Sequence, residues 1–200
     1  MDRRLADLLK QFELERLEVN LFRGESRDIG SPQVYGGQVL GQALMAASST
    51  LPPELVVHSL HAYFLRRGDF NLPIVYQVDR SRDGHSFSSR RVIAIQNGAQ
   101  IFTFSASFQR PEQGLEHQIS MPAVPPPETL PDWSRPAPDV AARLPEKLRR
   151  FLCRERPVEM RPVEPIDFLS PKPRPPVEHI WFKVCDRFRL HGNTIYKKLK

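Results

Sequence analysis

The 200-residue sequence predicts an α+β fold in which an antiparallel sheet curls around one central helix. Three features point to it. The segment after Gly36-Gly37 is helix-compatible and apolar or small nearly all round. Four strand-like segments joined by short turns follow it, and proline is crowded into the stretch after them. A helix without a polar face must be buried on most sides, and hairpin-linked strands make an antiparallel sheet. A helix laid on the face of a flat sheet is the alternative arrangement.

Taken in order, Leu5, Leu8, Leu9 and Phe12 fall on one face of an opening helix. Glu18 to Arg23 reads as a first strand. Gly36 and Gly37 then open the central helix, which carries Val39, Leu40, Gly41, Ala43, Leu44, Met45, Ala46 and Ala47, and Pro52-Pro53 closes it. Val57 to Leu65 alternates, with His58, Leu60, Ala62 and Phe64 on one face and Ser59, His61 and Tyr63 on the other. Ile74 to Arg80 follows, closed by a turn at Arg82-Asp83-Gly84. The next strand, Ser86 to Gln96, ends at Asn97-Gly98, a strong two-residue hairpin signal. In Ile101 to Gln109, Phe102, Phe104, Ala106 and Phe108 oppose Thr103, Ser105 and Ser107. A sheet wrapped around a helix in this way is the hotdog architecture.

Proline divides the chain. Residues 1–110 hold four prolines and residues 111–176 hold sixteen, while nine of the ten glycines precede residue 115. Residues 1–110 are therefore expected to be a folded domain and 111–176 an extended connector. Within the connector, Asp139 to Cys153 suits a short amphipathic helix interrupted by Pro145.

The formal charge of +6 is localised: five of the 29 bases lie from Arg187 onward with no acid among them, leaving 24 bases against 23 acids before it. A short basic tail is ordinarily a solvated one, and no nucleic-acid partner is expected. Two cysteines, Cys153 and Cys185, exclude a disulfide scaffold and suit a reducing compartment. No apolar run is long enough to cross a membrane, and the opening residues lack the apolar core of a signal peptide. A cytoplasmic location is expected.

Several chemistries lack their motifs. There is no G-x-S-x-G nucleophile elbow, no Walker loop and no G-x-G-x-x-G. The cysteines stand 32 residues apart without clustered histidines, so no metal site is expected. What remains is Gly36-Gly37-Gln38. Glycines at a buried helix start expose backbone N–H groups able to receive an oxygen that gains negative charge, as a carbonyl does in acyl transfer. The same glycines equally permit a tight strand-to-helix turn. His58 suits either a core position or a general base. Arg90 and Arg91 point to opposite faces; one should be exposed, and the other could meet a substrate phosphate or an internal carboxylate. The candidate substrate-binding set is Gly36, Gly37, Gln38, His58 and Arg90.

LFRGES at 21–26, VYGGQVLGQALMAA at 34–47, VHSLHAYFLRRGD at 57–69, RDGHSFSSRRVIAIQNG at 82–98 and IFTFSASFQ at 101–109 resemble acyl-CoA thioesterase II. HQISMPAVPPPE at 117–128 and RPVEMRPVEP at 156–165 continue the likeness. The resemblance implies a double hotdog, with one complete unit here and the start of a second in residues 177–200. It implies hydrolysis of medium- and long-chain fatty acyl-CoA by an activated water, without a cofactor, and association into homo-oligomers through the hotdog sheets. The family's catalytic Asp, Thr or Ser, and Gln lie beyond the strand that HIWFKV at 179–184 resembles. After Cys185 the sequence DRFRLHGNTIYKKLK departs from the family pattern. The resemblance therefore assigns no catalytic residue here, and the chain is expected to be C-terminally truncated and impaired. Its end is not Ser-Lys-Leu, so the peroxisomal address of the eukaryotic relatives is not expected. The alternative is a non-catalytic hotdog that binds acyl-CoA or pairs with another subunit.

Overall fold

A computed structural model describes residues 1–165, 167–187, 189–191 and 194–196. The chain forms two compact units, one of Met1–Ala6 with Leu115–Arg187, the other built on Asp7–Gly114. Helix α1 is Arg3–Lys10.

In the unit built on Asp7–Gly114, strands β1 (Glu15–Glu18), β2 (Leu21–Gly24), β3 (Val56–Phe64), β4 (Ile74–Asp83), β5 (Phe87–Gln96) and β6 (Ala99–Gln109) form one sheet in the order β1-β2-β4-β5-β6-β3. Every pairing is antiparallel. Helix α2 (Gly36–Ser48) lies in the hollow of this sheet and touches β2, β3, β4, β5 and β6. The contact is close because the helix offers Val39, Ala43, Ala46 and Ala47, the three alanines with no exposed surface. Against them pack Phe22, Ile74, Tyr76, Val78, Val92, Ala94, Phe102, Phe104 and Phe108. Burial of this apolar surface is the main stabilising term of the unit.

The helix is less enclosed than its composition predicts. Leu40, Gly41, Leu44 and Met45 are half-buried, and its buried side includes two glutamines, Gln38 and Gln42.

Other elements differ in detail. The predicted first strand, Glu18 to Arg23, is two strands: the chain reverses at Val19-Asn20, so that Glu15 pairs with Arg23. Strand β4 continues past Arg80 to Asp83 through an irregularity between Asp79 and Arg82. The turn at Asn97-Gly98 is as predicted. Both residues have positive φ (50° and 75°), which is what a type I′ hairpin requires.

In the other unit, α3 (Pro138–Arg143) and α4 (Glu146–Leu152) are separated at Pro145, where the sequence places the break. Residues 111–176 also hold a 3-10 turn at Pro127–Thr129 and a strand. Strand β7 (Val158–Pro162) pairs antiparallel with β8 (Ile180–Val184), Met160 facing Phe182. The apolar strand Ile180–Val184 is thus covered along one side by β7. Backbone bonds Val163 N–H to His179 O (2.8 Å) and Cys185 N–H to Pro157 O (2.9 Å) extend the ladder at both ends. Two side chains fasten the proline-rich backbone to these strands: Trp181 Nε1 donates to the Pro125 carbonyl at 3.0 Å, and Arg161 Nη1 to those of Pro127 and Leu130. The basic tail groups instead with the Asp7–Gly114 unit, and in it Arg189–His191 (β9) and Thr194–Tyr196 (β10) pair antiparallel. The remainder of that expectation, residues 188, 192–193 and 197–200, lies outside the described residues.

Gly98 at φ 75° predicts that Gly98→Ala costs about 1 kcal/mol, since an L side chain is disfavoured there. A chemical-denaturation midpoint equal to the parent's would contradict this.

Candidate functional site

The start of α2 borders the site. Tyr35 precedes it in an extended conformation (φ −66°, ψ 125°) and supplies no side-chain cap. The Gln38 N–H turns back to the Tyr35 carbonyl at 3.0 Å and Val39 N–H does so at 3.3 Å. The N–H groups of Gly36 and Gly37 precede these and have no partner within the helix, as at any helix start.

Gly36 opens onto a cavity of about 470 Å³. Its apolar lining comes from Val34, Val39, Phe64, Leu65, Ile101 and Phe102. Phe64, though 59% exposed, stacks obliquely on Phe102 with ring centroids 4.9 Å apart. A Cβ at position 36 would lie 3.0 Å from the Phe64 ring, so glycine lets the aromatic ring sit against the helix start. The wall formed by residues 65–68 is fixed by main-chain bonds: the Ile101 carbonyl accepts from Leu65 and Arg66 N–H, and Gly68 O accepts from Val34 N–H. Gln96, buried beneath, exchanges bonds with Asp69 through its Oε1 and Nε2 and donates to the Leu72 carbonyl, which holds the loop beyond.

A buried polar network sets the helix in place. Gln42 has no exposed surface; its Nε2 donates to the carbonyls of Gln11 (2.7 Å) and Glu25 (2.9 Å), and its Oε1 accepts from the Tyr76 hydroxyl at 2.7 Å. Gln38 Nε2 reaches the same Glu25 carbonyl at 3.2 Å. Burial pushes the Tyr76 hydroxyl far above its ordinary range, so it stays protonated and remains a donor.

The five sequence candidates separate. Gly36 lines the cavity, Gly37 follows it, and Gln38 sits beside them but spends its amide on the backbone after β2. His58 lies elsewhere, and its expected face is corrected. The register slips between Val57 and Ser59, so a bulge at His58 moves it off the Leu60–Phe64 face. It is exposed on the outer side, with Nε2 2.8 Å from Ser107 Oγ and its ring edge-on to Phe87.

Arg90 is the internal arginine, 1% exposed, and Arg91 the external one. Its guanidinium makes five hydrogen bonds: to Thr50 Oγ1 and Thr50 O, to the Arg82 and Ser89 carbonyls, and to Asp83 Oδ1. Of the two partners open to the internal arginine, the carboxylate is the one present. Arg90 thereby pins the end of α2 to the β4–β5 hairpin, and with Arg80 it holds the Asp83 carboxyl below the usual carboxylate range.

Sequence reasoning missed Phe64, Arg67, Gln42 and Tyr76. For Gln42 a signal existed: in GGQVLGQ the two glutamines are four apart, on one face of an otherwise apolar helix. Among the described residues, no group of His, Cys, Asp and Glu is placed to hold a metal ion. Nor is any helix long and apolar enough to cross a membrane.

Sheet order and enclosed helix together define a hotdog domain. Residues 23–109 match the family model of the acyl-CoA thioesterase N-terminal domain. The chain is 42% identical over 177 residues to human acyl-coenzyme A thioesterase 8, covering 85% of this chain and 56% of that protein. It is 42% identical over 179 residues to Haemophilus influenzae acyl-CoA thioesterase 2, covering 90% and 63%. Among solved structures, an acyl-CoA thioesterase II, TesB2, from Mycobacterium marinum superposes with a TM-score of 0.67 at 40% identity, over 90% of this chain and 60% of that one. A hot dog protein of unknown function from Alicyclobacillus acidocaldarius, at 19% identity and TM-score 0.67, matches in fold. Over most of its length the chain is thus similar to acyl-CoA thioesterases, and residues 23–109 match their N-terminal domain. It spans between half and two thirds of the length of these curated relatives.

Replacing Arg90 by Met strands buried acceptors and should cost about 2–4 kcal/mol of stability. Because the folded-state pKa of Asp83 is depressed, its contribution is present above the ordinary carboxylate range and lost as pH falls through the folded value. The stability difference between parent and Arg90→Met should therefore shrink in acid. Urea titrations at neutral pH and near pH 3 check both statements, and an unchanged difference contradicts the pairing.

Proposed function

We propose that this chain acts on medium- and long-chain fatty acyl-CoA, as part of an enzyme that hydrolyses the thioester to fatty acid and CoA. Gly36, at the start of a helix without a side-chain cap and beside a largely apolar cavity, is the observation that carries this reading. The relatives' names agree with it. In the reaction a water oxygen attacks the thioester carbon, the carbonyl oxygen takes negative charge, and the C–S bond then breaks. The acyl group leaves as carboxylate, one proton of the water goes to the sulfur to give the CoA thiol, and the other passes to solvent. In this reading the Gly36 N–H, at the cavity, receives that oxygen and binds it more strongly as the charge grows, with Gly37 following it in the helix start. Gln38, Gln42 and Tyr76 hold the helix start in position. Residues 1–110 act as the N-terminal hotdog domain in this reading, residues 111–176 as the connector, and residues 177–200 as the start of the second hotdog. Strand β3 stands last in the described sheet order, a position that suits side-by-side sheet association of two copies. The location proposed is cytoplasmic, with no nucleic-acid or membrane partner.

A second reading, a hotdog that binds acyl-CoA without hydrolysing it, is favoured by one observation. Among the described residues, the cavity lining holds no carboxylate or imidazole that could activate a water. Palmitoyl-CoA is expected to bind the purified chain, and thiol release then decides between the readings. Release above the no-protein rate supports hydrolysis by this chain; binding without release supports the binding module; neither binding nor release overturns both.

A further inference from the structure

We infer that the cavity beside α2 seats the acyl chain of the substrate and that Arg67, at its rim, receives a phosphate of the CoA head. This rests on the acyl-CoA reading above and adds a subsite to it. The volume, about 470 Å³, lies in the range of roughly 300–1,000 Å³ usual for small-molecule sites. The apolar walls can take an alkyl chain but offer phosphates no partners, so the two ends of an acyl-CoA must separate.

Charge follows the same division. The charged side chains that line the cavity are Arg66 and Arg67, adjacent on one wall. The Ile101 carbonyl accepts from both Leu65 and Arg66 N–H, which ends the β3 ladder and brings residues 65–68 to the cavity together. Arg66 is partly committed, its Nη1 donating to the Gln100 carbonyl at 2.6 Å. Arg67 is exposed and has no ion pair among the described residues. An exposed guanidinium beside an apolar cavity complements an amphiphile with an anionic phosphate head. Phe64 adds an independent mark, since a large aromatic ring left 59% exposed at the cavity is surface that a bound alkyl chain would cover.

Calorimetric titration of the 200-residue chain with S-dodecyl-CoA, a thioether that cannot be hydrolysed, tests this. CoA and dodecanoate serve as separate probes. Leu65→Trp, which fills the cavity from a half-exposed position, should weaken S-dodecyl-CoA and dodecanoate about tenfold and leave CoA unchanged. Arg67→Glu, an exposed change, should weaken S-dodecyl-CoA and CoA about tenfold and flatten the salt dependence of both. If the parent binds S-dodecyl-CoA and both variants bind it equally well, the subsite is wrong while the acyl-CoA reading stands. Dodecanoate binding as tightly as S-dodecyl-CoA would overturn the role of Arg67. If the parent binds no S-dodecyl-CoA, the subsite and the acyl-CoA reading fall together.

Discussion

Burial of α2 is the constraint on which the hotdog unit depends. A thirteen-residue helix with alanines at 43, 46 and 47 is unstable in water unless a partner covers it. The five contacting strands supply that cover, and the small side chains let the sheet approach closely enough to curl. The interior that results is dense, so its polar members must be fully bonded. Gln42 meets this demand with both ends of its amide, and Tyr76 with its hydroxyl. Packing and polar satisfaction thus fix the helix at the same place.

The two ends of α2 are consequently in different chemical states. At its C-terminal end the Thr50 carbonyl and hydroxyl are taken up by Arg90, a residue with no surface to offer a ligand. At its N-terminal end the chain supplies no side-chain cap, and Gly36 lines a cavity. A helix buried along its length and unfinished at one terminus concentrates unsatisfied donors at that terminus. That asymmetry leaves Gly36 at a cavity and Arg90 committed to the protein's own groups.

The proline-rich unit solves a different problem. With so many residues unable to donate a backbone bond, ladders are short. Side-chain donors compensate: Arg161 and Trp181 bond carbonyls of the segment 125–130. Aromatic and guanidinium groups add contacts, with Arg154 and Arg156 lying over the Phe151 ring.

Local signals in the sequence were sufficient wherever the controlling physics is local. Asn97-Gly98 makes its hairpin turn because both backbones tolerate positive φ, Pro145 breaks a helix because it cannot donate, and the apolar run after Gly37 demands burial. The sequence by itself thus determined the hotdog class, most strand positions and the candidate helix start. Tertiary structure decided the rest. One extra residue at His58 reversed its face, which alternation cannot register because the slip depends on how β3 meets β6. Whether Arg90 met a ligand or an internal carboxylate depended on Asp83 and Thr50, seven and forty residues away. The β7–β8 pairing and the cavity at Phe64 and Arg67 likewise join segments distant in sequence. Period and propensity describe a segment's own backbone, whereas these features exist only where separate segments are brought into contact.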